Sequence, residues 1–166
     1  MKKLLFILLI SILGISVSCS FIKPLENSQV LPYKKDIIDY HIHVAGLGHG
    51  NSGCFINKSM RDNFRFKFYL KAMGTSVDEL EKHGDQIIFS KISTAIDKSK
   101  VISHGVILAL DGVITDGQLD HEKTQVYVPS HYVYQQTQKY NNLLYAASIN
   151  PYRSDAIPLL EKAKQQ

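Results

Sequence analysis

The chain has 166 residues, 45% of them hydrophobic, with 19 basic and 15 acidic side chains and only two cysteines, Cys19 and Cys54. That composition supports a packed core and excludes a scaffold held by several disulfides. The net charge of +4 includes Lys2 and Lys3 of a leader; without them 17 basic side chains stand against 15 acidic ones, and no nucleic-acid partner is expected from so slight an excess.

Lys2-Lys3 followed by the uncharged run Leu4 to Val17 reads as a secretory signal over residues 1–19, a basic start before a short apolar core. The run is shorter than the roughly 20 apolar residues of a membrane-spanning helix. Ser16-Val17-Ser18-Cys19 is similar to the cleavage site of bacterial lipoproteins, with Ser16 where an aliphatic residue is usual. On this reading Cys19 is lipidated, Cys54 stays unpaired, and the chain is exported to the cell envelope on a membrane anchor. The alternative is cleavage after a small residue, secretion, and a free Cys19 thiol. Residues 20–35, with Pro24 and Pro32 and no period, read as a tether.

The first strand is expected over Asp36 to Val44. Its Asp39, His41 and His43 alternate with Ile38, Tyr40, Ile42 and Val44, so in an extended strand the three polar residues share one face. Three polar side chains need partners if buried, and neutral imidazole is the commonest metal ligand. His41 and His43 are therefore candidate metal ligands, and Asp39 a carboxylate that orients one of them. The competing reading is a pair of hydrogen-bonded core histidines.

Gly46 to Gly53 reads as a flexible glycine-rich loop. A helical insert in three pieces follows. Met60, Phe64, Phe68 and Met73 approximate one helical stripe closed by Gly74. Ser76 and Glu79 form a capping box. Ile88, Ile92, Ala95 and Ile96 mark a third helical face, ending near Lys100. The basic aromatic stretch Arg61 to Lys71 is expected to pack its rings inward and keep its cations wet, in preference to forming a nucleic-acid or membrane surface. Gly105 to Leu110 is a continuous apolar strand of the parallel-sheet kind. Asp111 to about Thr124 reads as a solvated loop whose Asp111, Asp116, Asp120 and Glu122 fit no calcium-loop spacing. Ser130 is expected to cap a helix running to Tyr140, with His131 on its surface. Leu143 to Ile149 forms a third strand, and Asp155 to Gln166 a last amphipathic helix with Pro158 in its first turn.

Strand, helices, strand, helix, strand, helix implies right-handed crossovers and a parallel α/β sheet. Ile38-Asp39-Tyr40-His41-Ile42-His43 resembles the first-strand metal motif of the amidohydrolase superfamily, and its amidohydrolase-related branch in particular. The glycine loop with Gly53-Cys54, the insert Arg61 to Gly74, Leu108-Ala109-Leu110-Asp111-Gly112 and Ser148-Ile149-Asn150-Pro151-Tyr152-Arg153 are similar to segments that such proteins carry. The resemblance runs over residues 36–166 and implies the N-terminal part of a (β/α)₈ barrel, an incomplete TIM-like barrel of about three β/α units with a helical insert after strand one. It implies a divalent metal, zinc by its imidazole ligands His41 and His43, and a small-molecule substrate with an amide, lactone or ester bond, or a decarboxylation. The further ligands of the family have no matching positions in this sequence, no catalytic residue is assigned, and this chain alone is expected to be inactive.

Two other readings stand beside it. One is an exported α/β module that binds a metal or small ligand without turnover. The other is a dinucleotide-binding fragment, because Gly48-His49-Gly50-Asn51-Ser52-Gly53 formally matches Gly-x-Gly-x-x-Gly; the basic aromatic stretch where that fold places an acidic residue argues against it. Cys54 has no base beside it in sequence and is not expected to act as a nucleophile.

Overall fold

The computed structural model of the protein describes residues 36–166, so the leader, the tether and Cys19 lie outside the described residues. At the centre is a three-stranded parallel sheet in the order β1 (Ile37–His43), β3 (Ile102–Leu108), β7 (Leu143–Ala146). Between β1 and β3 come a short strand β2 (Phe55–Ile56) and four helices, α1 (Lys58–Arg61), α2 (Phe64–Ala72), α3 (Val77–His83) and α4 (Ile87–Lys98). Between β3 and β7 come β4 (Ile114–Thr115), β5 (Gln118–Leu119), β6 (Val126–Tyr127) and α5 (Ser130–Thr137); α6 (Ala156–Lys164) follows β7. Among the described residues the fold is thus mixed α/β with a parallel sheet and six helices. Among the described residues no helix is long and apolar enough to cross a membrane.

The apolar run of β3 takes the central position of the sheet, with one face buried and the other, through Val106 and Leu108, half-buried rather than buried on both faces. Ile107 is fully buried and Gly105 and Ala109 nearly so. Gly105 is where two elements close on the sheet: a Cβ there would stand 2.5 Å from Ile42 Cδ1 and 2.8 Å from Ile96 Cδ1. Its missing side chain lets α4 and β1 approach the strand together. Around this centre Leu80, Ile88, Phe89, Val128, Val133 and Leu143 complete the core.

Ser76 caps α3, its hydroxyl accepting from the Glu79 amide at 3.2 Å, and Gly74 follows α2 with φ 72°. Four expectations are corrected. The insert's first helical stripe is not the buried one: Phe66 and Leu70 are buried, whereas Phe64 and Phe68 are 76% and 69% exposed. The buried face of α4 is Ile88, Phe89, Ser93 and Ile96, with Ala95 exposed. The stretch after Asp111 is no simple solvated loop. Asp116 (φ 51°) and Gly117 (φ 77°) make the two-residue turn of the β4–β5 hairpin, positive φ at both central positions being the demand of that tight turn. Ser130 does not cap α5, whose N-cap is Pro129. The Ser130 hydroxyl instead donates to the Ser148 carbonyl at 3.0 Å and accepts from the Ser148 amide at 3.1 Å, tying α5 to the end of β7.

Candidate functional site

β1 lies at one edge of the sheet, and its register on β3 carries an irregularity where the histidines sit. Asp39 is opposite Gly105 and Ile42 opposite Ile107, so three steps on β1 match two on β3. An extra residue of this kind breaks alternation and re-aims side chains, often beside a site. Tyr40 consequently leaves the packed side and is 70% exposed, while Val44 is buried. Asp39 accepts from the His41 backbone amide at 3.0 Å, a local bond that satisfies a donor inside the bulge. Asp39 thus holds the backbone that carries His41.

His41 and His43 come together. Their Nε2 atoms are 2.9 Å apart and their rings meet edge to face, with centroids 4.7 Å apart. Both side chains are exposed, so they are not a core pair. Partial desolvation, and after it the adjoining His41 ring, lower the pKa of His43, which keeps that imidazole in the neutral form that ligates. Two nitrogens bound to one zinc at about 2.0–2.1 Å, separated by about 90–110°, lie about 2.9–3.4 Å apart. The pair therefore fits a single divalent ion with little movement. The same distance suits one imidazole N–H donating to the other ring. Among the described residues no group of three or more His, Cys, Asp or Glu side chains is gathered for a metal.

A second polar centre lies past the ends of β3 and β7. Asp111 accepts from the Gly112 amide (2.8 Å), the Asn150 amide (2.8 Å) and Arg153 Nη1 (3.1 Å), while its own amide donates to the Ser148 hydroxyl at 3.1 Å. Only 7% of the Asp111 side chain and 15% of that of Arg153 are exposed. Arg153 also grips Asp155 at 2.8 Å, and that bond, ahead of Asp111, raises its pKa further. Asp111 was expected in water; it is instead the knot that joins the segments Leu108 to Gly112 and Ser148 to Arg153. Beside it is a cavity of about 220 Å³ lined by Tyr127, Ser130, Tyr145, Arg153 and Lys162 among others. Sequence reasoning missed this centre, although an acid directly following a buried apolar strand was a visible signal.

The glycine-rich loop is also held. Asp85, 1% exposed, accepts from the amides of Leu47 (3.0 Å) and Gly48 (2.9 Å) and from the Ser52 hydroxyl. Cys54 is buried beneath it, its amide donating to the Ser52 hydroxyl. Burial, with a smaller push from Asp85, drives the Cys54 thiol up to about 12, the Ser52 bond opposing this. A thiol so placed is inert at neutral pH. His131 is exposed on α5, its pKa lowered by desolvation and then by Lys162. Comparison with protein-family models, with curated proteins and with solved structures gives no match to this chain.

Proposed function

We propose that the chain is the first part of a (β/α)₈ metal-dependent hydrolase of the amidohydrolase kind, acting on an amide, lactone or ester, or on a related decarboxylation. The observation that carries this reading is the convergence of His41 and His43 Nε2 to 2.9 Å at the C-terminal end of the first strand of a parallel sheet. That end of the strands is where barrel enzymes keep their chemistry. The order β1-β3-β7, each strand followed by helix, is in keeping with such a barrel. His41 and His43 would hold the ion through neutral Nε2 atoms, and Asp39 would fix the backbone bulge that aims them. When bound, a zinc ion lowers the pKa of its water towards about 7 and polarises a carbonyl. Two imidazoles are half of a tetrahedral set, so the remaining donors belong to water, substrate or other protein segments. This shortage is what favours the second reading, an exported module that binds a metal or small ligand without turnover.

Metal analysis of the full-length protein, with His41→Ala/His43→Ala alongside, tests the proposal. A stoichiometric divalent ion in the wild type, lost in the double variant together with hydrolysis of model amides, lactones or esters, is the expected result. Unchanged metal content in the double variant sinks the hydrolase reading and the metal-binding form of the module. Metal uptake without turnover under any substrate leaves the binding module.

A further inference from the structure

Helix α2 presents to solvent the face that its sequence suggests it should bury. Phe66 and Leu70 point into the core, and on the opposite side Phe64, Phe68 and Ala72 follow one another at intervals of four, which places them in one row. Phe64, Phe68 and Tyr69 are 76%, 69% and 61% exposed. Arg65 flanks the row, its guanidinium 5.9 Å from the Phe64 ring centroid, and Lys67 and Lys71 flank it on the other side. With Arg61 these make four exposed cations, none in an ion pair among the described residues, and residues 63–77 contain no acid. Solvated cations around an exposed aromatic ridge are the pattern of a helix lying in a membrane interface, rings at the acyl boundary and cations among anionic headgroups.

We infer that the outer face of α2 docks this domain on an anionic phospholipid bilayer. The inference rests on the sequence reading in which the leader and Cys19 hold the chain at the envelope. On that reading a bilayer is the large surface at hand, and α2 is the face whose rings and cations suit it. A nucleic acid would also meet cations and aromatic rings, but an exported chain does not encounter it as a bilayer-tethered protein does.

The test uses the mature lipidated chain, whose Cys19 carries no free thiol, reconstituted in vesicles, with an environment-sensitive fluorophore on Ala72→Cys and, for comparison, on Tyr152→Cys, a position 81% exposed elsewhere on the fold. In vesicles containing phosphatidylglycerol the label at 72 should be shielded from an aqueous quencher and reached by a lipid-phase one, while the label at 152 stays aqueous. Vesicles of phosphatidylcholine alone, or salt at ~1 M, should expose it again. Arg65→Ala with Lys71→Ala should weaken the docked state about 25-fold, near fivefold for each cation. A label at 72 that stays aqueous on anionic vesicles overturns the inference. So does shielding that appears without vesicles and grows with protein concentration, the sign of a second copy, or shielding by a single-stranded oligonucleotide in place of lipid.

Discussion

The loop after β1 and the loop after β3 are each gathered by one buried carboxylate, and the two carboxylates are satisfied by different means. Asp85 has three neutral donors, the Leu47 and Gly48 amides and the Ser52 hydroxyl. Asp111 has two amides as well, but its third donor is a guanidinium that also holds Asp155. A carboxylate with only neutral partners depends on every one of them, because nothing but those dipoles replaces lost hydration. An ion-paired carboxylate spreads its charge into a network that reaches solvent through Asp155, 50% exposed. The first arrangement is rigid and unforgiving, the second adjustable.

Removing Asp85 should therefore cost most. Asp85→Ala strands two amides and the fully buried Ser52 hydroxyl, and at about 1–3 kcal/mol for each buried unpaired group a loss of about 3–5 kcal/mol is expected in denaturant unfolding. Asp85→Asn, which keeps the shape and one acceptor, should lose about half of that. The contrast breaks if the alanine variant is within 1 kcal/mol, or about that, of wild type. Next in size is Arg153→Ala, expected to cost about 2–3 kcal/mol, because Asp111 keeps two backbone donors while losing its cation. In a double-mutant cycle, Arg153→Ala with Asp111→Ala should cost less than the two single losses added together. Strict additivity would mean that the pair is not coupled.

The smallest effect, about 1.4 kcal/mol at pH 10, sharpens the Asp85 side and lies in alkali. The Cys54 thiol titrates near 12 folded and near 9.0 unfolded. Below pH 9 both states carry the proton and the thiol has no pH-dependent effect. Between pH 9 and 12 the unfolded state alone releases it, so stability falls with rising pH by up to about 1.4 kcal/mol per unit. Cys54→Ala should show a shallower alkaline slope than wild type. Equal slopes would place the cause elsewhere.

Much of the fold could be read from residues alone, because its signals are local. The apolar run Gly105 to Leu110, the capping pair Ser76 and Glu79, and Gly74 each act within a few positions. The α2 stripe misled for a physical reason. Phe64 with Phe68, and Phe66 with Leu70, are both apolar pairs at spacing four, on opposite faces, and periodicity cannot choose between them; only the rest of the core does. Asp116-Gly117 was an overlooked hairpin signal. At the site, His41 and His43 were legible as a pair. The bulge that aims them and exposes Tyr40 depends on the register with β3, a long-range match that β1 does not encode by itself. Asp85 and Arg153 act across 37 and 42 residues, on Gly48 and Asp111, distances at which no spacing rule applies.

The order in which the sheet closes follows from its register. Gly105 pairs with Leu143 across 38 residues and with Asp39 across 66. Loop-closure entropy grows with the logarithm of that separation, which makes the second closure about 0.5 kcal/mol more costly than the first. β7 is also held near β3 by α5, tied to Ser148 through the Ser130 hydroxyl, while α1 to α4 all lie in the chain between β1 and β3. The His41–His43 pair sits on the late strand. On that ordering β3 and β7 come into register before β1, and the close approach of the two imidazoles is the last geometry the sheet acquires.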